Sequence, residues 1–78
     1  MSLIPVRAHW DAEASVWTAT SDDVPGLATE AAAFEELNRK LPVMIPELFE
    51  ANNLAQPHDL LVHVLANYTA RVPNPRAA

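Results

Sequence analysis

Asp22 and Asp23 are the residues whose type and spacing most readily suggest chemistry, because adjacent carboxylates can divide general acid and base duties. Ser21 stands beside them, and a Ser-His-Asp set can converge from distant positions, but nothing in the spacing selects one. The simpler reading is a turn. Asp bonds its own backbone ahead of a bend, Pro25 presets φ, and Gly26 permits φ > 0, which suits the two central positions of a type II turn.

The histidines are His9, His58 and His63, and a metal site needs at least three convergent ligands. His58 and His63 have opposite parity in an extended strand and point apart. His9 and His63 can approach only if their strands are neighbours and share a face. The sequence has one glycine, too few for the Gly-rich loops that cradle phosphates. It has no cysteine, which removes thiolate nucleophiles, disulfides and Cys-based metal sites. No catalytic residue, cofactor or metal site is expected, and the chain is not expected to be an enzyme.

The elements around these residues follow from periodicity. Ile4, Val6, Ala8 and Trp10 alternate with Pro5, Arg7 and His9, which predicts a strand over residues 3–10. Pro5 must lie near its start or at an unpaired position. Residues 11–14 form a hairpin loop. A second strand covers residues 15–21, where either Trp17 and Ala19 or Val16 and the threonines could face the core. After the Pro25-Gly26 turn a short third strand runs through Leu27, Ala28 and Thr29.

The period then changes. Phe34, Leu37, Leu41, Met44 or Ile45, and Leu48 recur three and four apart, the stripe of an amphipathic helix. Glu35–Arg39 and Glu36–Lys40 have the favourable i,i+4 order. Pro42 and Pro46 predict a kink, or two segments meeting near Pro42. Asn52-Asn53 ends the helix and residues 56–58 connect it to a final strand over residues 60–70. Both parities of that strand carry large apolar groups, so both sheet faces should be covered over part of it. One helix covers one face; the other is expected to meet a partner subunit. Residues 71–78, with Pro73 and Pro75, form a flexible tail to a single domain of residues 1–70.

Ten acidic residues oppose five scattered basic ones, for a net charge of −5. Nucleic-acid binding calls for concentrated positive charge, so no direct nucleic-acid partner is expected, and a basic protein suits the balance better. No apolar run reaches the roughly 20 residues of a membrane span. The start lacks the features of a signal peptide, so a cytoplasmic protein without a membrane partner is expected.

The segment Val16–Glu30, with Asp23-Val24-Pro25-Gly26 as its sharpest motif, followed by Phe34-Glu35-Glu36-Leu37, resembles the HicB antitoxin family. With Leu41–Leu48 added, the likeness is closest to uncharacterised stand-alone HicB-like domains and covers nearly the whole chain. The resemblance implies an α+β fold: a β-β-β-α-β, truncated ribonuclease H-like sheet in the order 3-2-1-4, with one helix on one face. Its last strand is parallel to its first, through a right-handed crossover. HicB proteins neutralise a small basic toxin that cleaves mRNA. The C-terminal DNA-binding module usual in that family is not expected here, and Ala32 and Ala33 stand where a polar helix cap is expected. The expected function is an antitoxin-like protein-binding module, homodimeric or higher, with no repression of its own operon. Asp22, Asp23 and the outward residues Leu61, His63 and Leu65 are the candidate partner contacts. The alternative is a structural or regulatory oligomer without a toxin.

Overall fold

The computed structural model describes residues 2–56 and 59–76. Strand β1 (Ser2–Asp11) is followed by β2 (Val16–Thr20), β3 (Ala28–Ala31), the helix α1 (Phe34–Ala51) and β4 (Leu60–Asn67). The sheet order is β3-β2-β1-β4, with β1 antiparallel to β2 and parallel to β4. The α+β fold and strand order expected from the resemblance are thus present.

Alternation in β1 puts Ile4, Val6 and Ala8 into the core. Its central place leaves the question of Pro5, which has no N–H to give. The β1–β2 ladder ends at Arg7–Thr20, and the Pro5 carbonyl accepts a 2.7 Å bond from the Ser21 hydroxyl instead. Since N and C=O of one residue point to the same side, the missing donor faces the stretch where β2 has already turned away.

The ambiguous β2 is settled by its partners. Trp17 lies opposite Trp10 and Ala19 opposite Ala8, so Trp17 and Ala19 face the helix, with Ala19 fully buried. Val16, Thr18 and Thr20 take the other face. The hairpin loop closes on Asp11, whose Oδ1 accepts from the N–H groups of Glu13 and Ala14, while Ser15 takes φ 56°. The Pro25-Gly26 turn has the expected form: Leu27 N–H donates to the Val24 carbonyl at 3.1 Å, and Gly26 has φ +81°. That bond commits Leu27 to the turn, so β3 begins one residue later than expected and runs on to Ala31.

Helix α1 is one continuous element; the chain does not break into two segments at Pro42. Leu37, Leu41, Ile45 and Phe49, spaced by four, form its buried stripe. Phe49 was not anticipated on that stripe; Phe34, Met44 and Leu48 pack beside it, half-buried. Pro42 and Pro46 share one exposed stripe, where the carbonyls they leave unpaired can turn to water. Ala33 caps the helix without a side-chain hydrogen bond. Its other end is tied down firmly. Asn53 takes φ 55°, Leu54 N–H donates to the Phe49 carbonyl at 2.8 Å and Asn53 N–H to the Glu50 carbonyl at 3.1 Å, a Schellman ending. Asn52 Nδ2 donates to the carbonyls of Leu48 and Pro25, joining the helix end to the turn before β3.

Lys40 departs from the expected pairing with Glu36. Its ammonium donates to the Glu30 carbonyl at 2.6 Å, on edge strand β3. Strand β4 also stops at Asn67, short of residue 70. Its next residue, Tyr68, leaves the ladder and packs its ring 6.2 Å from Trp10 and 5.9 Å from Trp17.

Replacing Pro42 by Ala should stabilise the domain by about 1–2 kcal/mol. The helix-interior penalty of roughly 3 kcal/mol is removed and about 1 kcal/mol of unfolded-state restriction is lost with it. Urea denaturation measures this; an unchanged or lower midpoint would show that the proline ring contributes packing that outweighs its missing donor.

Candidate protein-binding surface

The sheet face away from α1 is built from the second parity of each strand. Along β1 it presents Leu3, Pro5, Arg7 and His9; along β4 it presents Leu61, His63, Leu65 and Asn67. Register brings the apolar members together. Leu3 lies opposite Leu61, and Pro5 is opposite His63, next to Leu65 opposite Arg7. Leu3, Leu61 and Leu65 are 59%, 47% and 49% exposed, an uncommon amount of open aliphatic surface on one side of so small a sheet.

The rim of this patch is charged. Arg7 Nη2 donates to Asp22 Oδ2 at 2.8 Å, the one ion pair within 4.0 Å among the described residues. Pro5, Arg7, Asp22, Asp23 and Leu65 enclose a shallow recess of about 260 Å³. The five sequence candidates therefore fall on one surface: Asp22 and Asp23 at its rim, and Leu61, His63 and Leu65 along its outer strand. Both partners of the ion pair are well exposed, so the bond orients the Asp22 carboxylate more than it stabilises the fold.

Ser21 has a structural task here. Besides donating to Pro5 it accepts from the Asp23 N–H at 3.2 Å, which fixes the acidic turn against β1. His9 and His63 do lie on neighbouring strands and on one face, yet His63 sits opposite Pro5 and His9 opposite Asn67. Four residues of strand separate them, about 13 Å. Among the described residues no cluster of three or more His, Cys, Asp or Glu could hold a metal ion. His58 lies outside the described residues. Towards β2 the face becomes polar: the Thr18 hydroxyl is 3.2 Å from the His9 ring, and Thr20 and Glu30 follow.

A second surface lies on the helix side, where α1 begins. Trp17 packs against Phe34 with ring centroids 4.9 Å apart and against Trp10 at 5.8 Å, edge to face, and Tyr68 closes the group. The Trp10–Trp17 register, which periodicity leaves open, makes these aromatic residues one cluster. Tyr68 is 60% exposed. Among the described residues no helix is long and apolar enough to cross a membrane.

A family model described as a domain of unknown function, DUF1902, matches residues 3–73. A solved structure similar to this chain is that of the hypothetical protein TTHA1013 from the extremely thermophilic bacterium Thermus thermophilus. It is 50% identical, with a TM-score of 0.78, over 90% of this chain and 99% of that one. No curated protein matches the sequence.

The two surfaces should respond differently to substitution. Trp17→Ala removes an aromatic at the hub of its cluster and should cost about 2–4 kcal/mol in urea denaturation. Asp22→Asn breaks only an exposed pair and should cost no more than about 0.5 kcal/mol. A large loss from Asp22→Asn would instead give the ion pair a structural role.

Proposed function

The chain belongs to the DUF1902 family, and we propose that it serves there as an antitoxin-like protein-binding module whose binding surface is the sheet face opposite α1. The observation that carries this reading is the uncovered patch of Leu3, Leu61 and Leu65 beside the acidic rim of Asp22 and Asp23. An apolar centre with a charged rim is the anatomy of a specific protein interface. The net charge of −5 favours a basic partner, through steering at long range and rim contacts at short range. The likeness of Val16–Glu30 to HicB antitoxins adds a candidate of that chemistry, a small basic mRNA-cleaving toxin held inactive by the module.

A second reading is a structural or regulatory oligomer with no toxin. It is favoured by the open outer edge of β4, which suits pairing between copies. Both readings give the protein a binding role and neither needs catalysis by this chain.

The test is to co-express the chain with any small basic protein found encoded beside its gene, purify the pair, and titrate the separated components; the lack of such a neighbour would count against the antitoxin reading. A stable complex that relieves growth arrest by the basic protein is expected. Leu61→Ser/Leu65→Ser should weaken it at least tenfold, and Asp22→Asn/Asp23→Asn should flatten its salt dependence. A basic neighbour that neither binds nor is neutralised would end the antitoxin reading and leave the oligomer.

A further inference from the structure

The two edges of the sheet are treated very differently. Edge strand β3 has four residues, exposes Glu30, and has the Glu30 carbonyl occupied by Lys40. These are ordinary defences against edge-to-edge pairing: brevity, charge and cover. Edge strand β4 has eight residues, Leu60–Asn67, with no Lys, Arg, Asp, Glu, Pro or Gly among them. A long, uncharged, proline-free edge is a template for another strand.

From this contrast we infer that β4 pairs antiparallel with β4 of a second copy, about a two-fold axis at His63, making one continuous eight-stranded sheet. The inference deepens the self-association reading above and is independent of any toxin. Its occupant follows from the order of residues along the edge. A two-fold axis perpendicular to the sheet keeps each face continuous, so both helices lie on one side and a residue can pair only with one of its own parity. Centred on His63, that symmetry sets Leu61 against the partner's Leu65 and Leu65 against the partner's Leu61. On the helix side it sets Val62 against the partner's Val64, and Leu60 against the partner's Ala66. Every pair flanking the axis is apolar on apolar, the arrangement that favours cross-strand association. Moving the axis by one residue, to Val64, would set Leu61 against the partner's Asn67 and Leu65 against the partner's His63, losing both leucine pairs.

The surroundings agree with a seam at this place. On the helix side Pro42, Pro46, Leu60 and Val62 line an open groove of about 300 Å³ along β4. Val62 and Val64 are only half-buried although they point to the core side. On the other side Leu61 and Leu65 lie bare. Pairing along β4 narrows both at once, because the partner's strand adds side chains to each face. It also joins the two Leu3–Leu61–Leu65 patches into one surface across the axis, so that a dimer would present two copies of the binding face in a single plane.

The chain has no cysteine, so a single introduced one reports on the seam without background. Directly opposed residues on antiparallel strands have Cα atoms about 4.5–5.5 Å apart, within disulfide range. His63→Cys should therefore form a covalent dimer under mild oxidation at micromolar concentration. Glu30→Cys, exposed on the opposite edge, should not. Sedimentation of the unaltered full chain should give a species of twice 8.5 kDa. Leu61→Lys/Leu65→Lys, at exposed positions the monomer tolerates, should weaken association at least tenfold. Leu61→Lys/Leu65→Glu should restore it, since each Lys then faces the partner's Glu. A chain that stays monomeric at hundreds of micromolar, a Glu30→Cys dimer as abundant as the His63→Cys one, or no recovery in the charge-paired variant would each overturn the inference. A dimer with these properties that ignores every basic protein offered would retain the seam and discard the capture reading.

Discussion

One helix has to shield a sheet wider than itself. An eighteen-residue helix is about 27 Å long and about 10 Å across, while four strands at about 4.8 Å span close to 19 Å. Helix α1 packs towards β2 and β3, and the core beneath it is dense: Val6, Val24, Leu37, Leu41 and Ile45 are almost wholly withdrawn from water. The uncovered remainder is divided between two solutions. At the β1–β2 end an aromatic cluster takes over where the helix begins. Along β4 nothing among the described residues takes over, so Val62 and Val64 stay half-buried; Leu61 and Leu65 are exposed because they lie on the face that α1 does not reach at all.

The placement of α1 is itself fixed from its C-terminal end. Ala33 offers no side-chain cap, whereas Asn52 bridges the last turn of the helix to the Pro25 carbonyl. Val24 and Leu27, buried on either side of the Pro25-Gly26 bend, complete this junction. The acidic turn that carries Asp22 and Asp23 is held between two anchors, the Ser21–Pro5 bond on one side and the helix end on the other. Its two carboxylates are therefore presented by a braced loop, which suits a contact site better than a freely moving one.

Much of this was legible in the residues. Strict alternation in β1 and a four-spaced stripe in α1 are strong local patterns, and Pro25-Gly26 dictates its own backbone. The strand order was not readable from periodicity and came from the likeness to HicB proteins. Side preference in β2 was ambiguous because Val16 and Trp17 are both large and apolar, and only pairing with Trp10 decides it. The end of β4 was missed for a related reason: Tyr68 has good strand propensity, but two tryptophans on neighbouring strands draw its ring out of line. The candidate surface was legible in its members, Asp22, Asp23, Leu61, His63 and Leu65. That Leu3 and Pro5 join them depends on the parallel β1–β4 register, which no local pattern encodes.

That same register governs the order in which the molecule can be made. Ser2 lies beside Leu60 and His9 beside Asn67, so the central strand gains its second neighbour only when the last strand has been synthesised. Closing so long a stretch of chain before any contact rewards it slows folding relative to a hairpin of equal size. A nascent chain leaving the ribosome can zip β1 to β2, yet it holds Ile4 and Val6 half-sheltered until β4 arrives. For that interval the N-terminal hairpin is an incomplete sheet in a crowded cell, where protection by a chaperone has the most to offer.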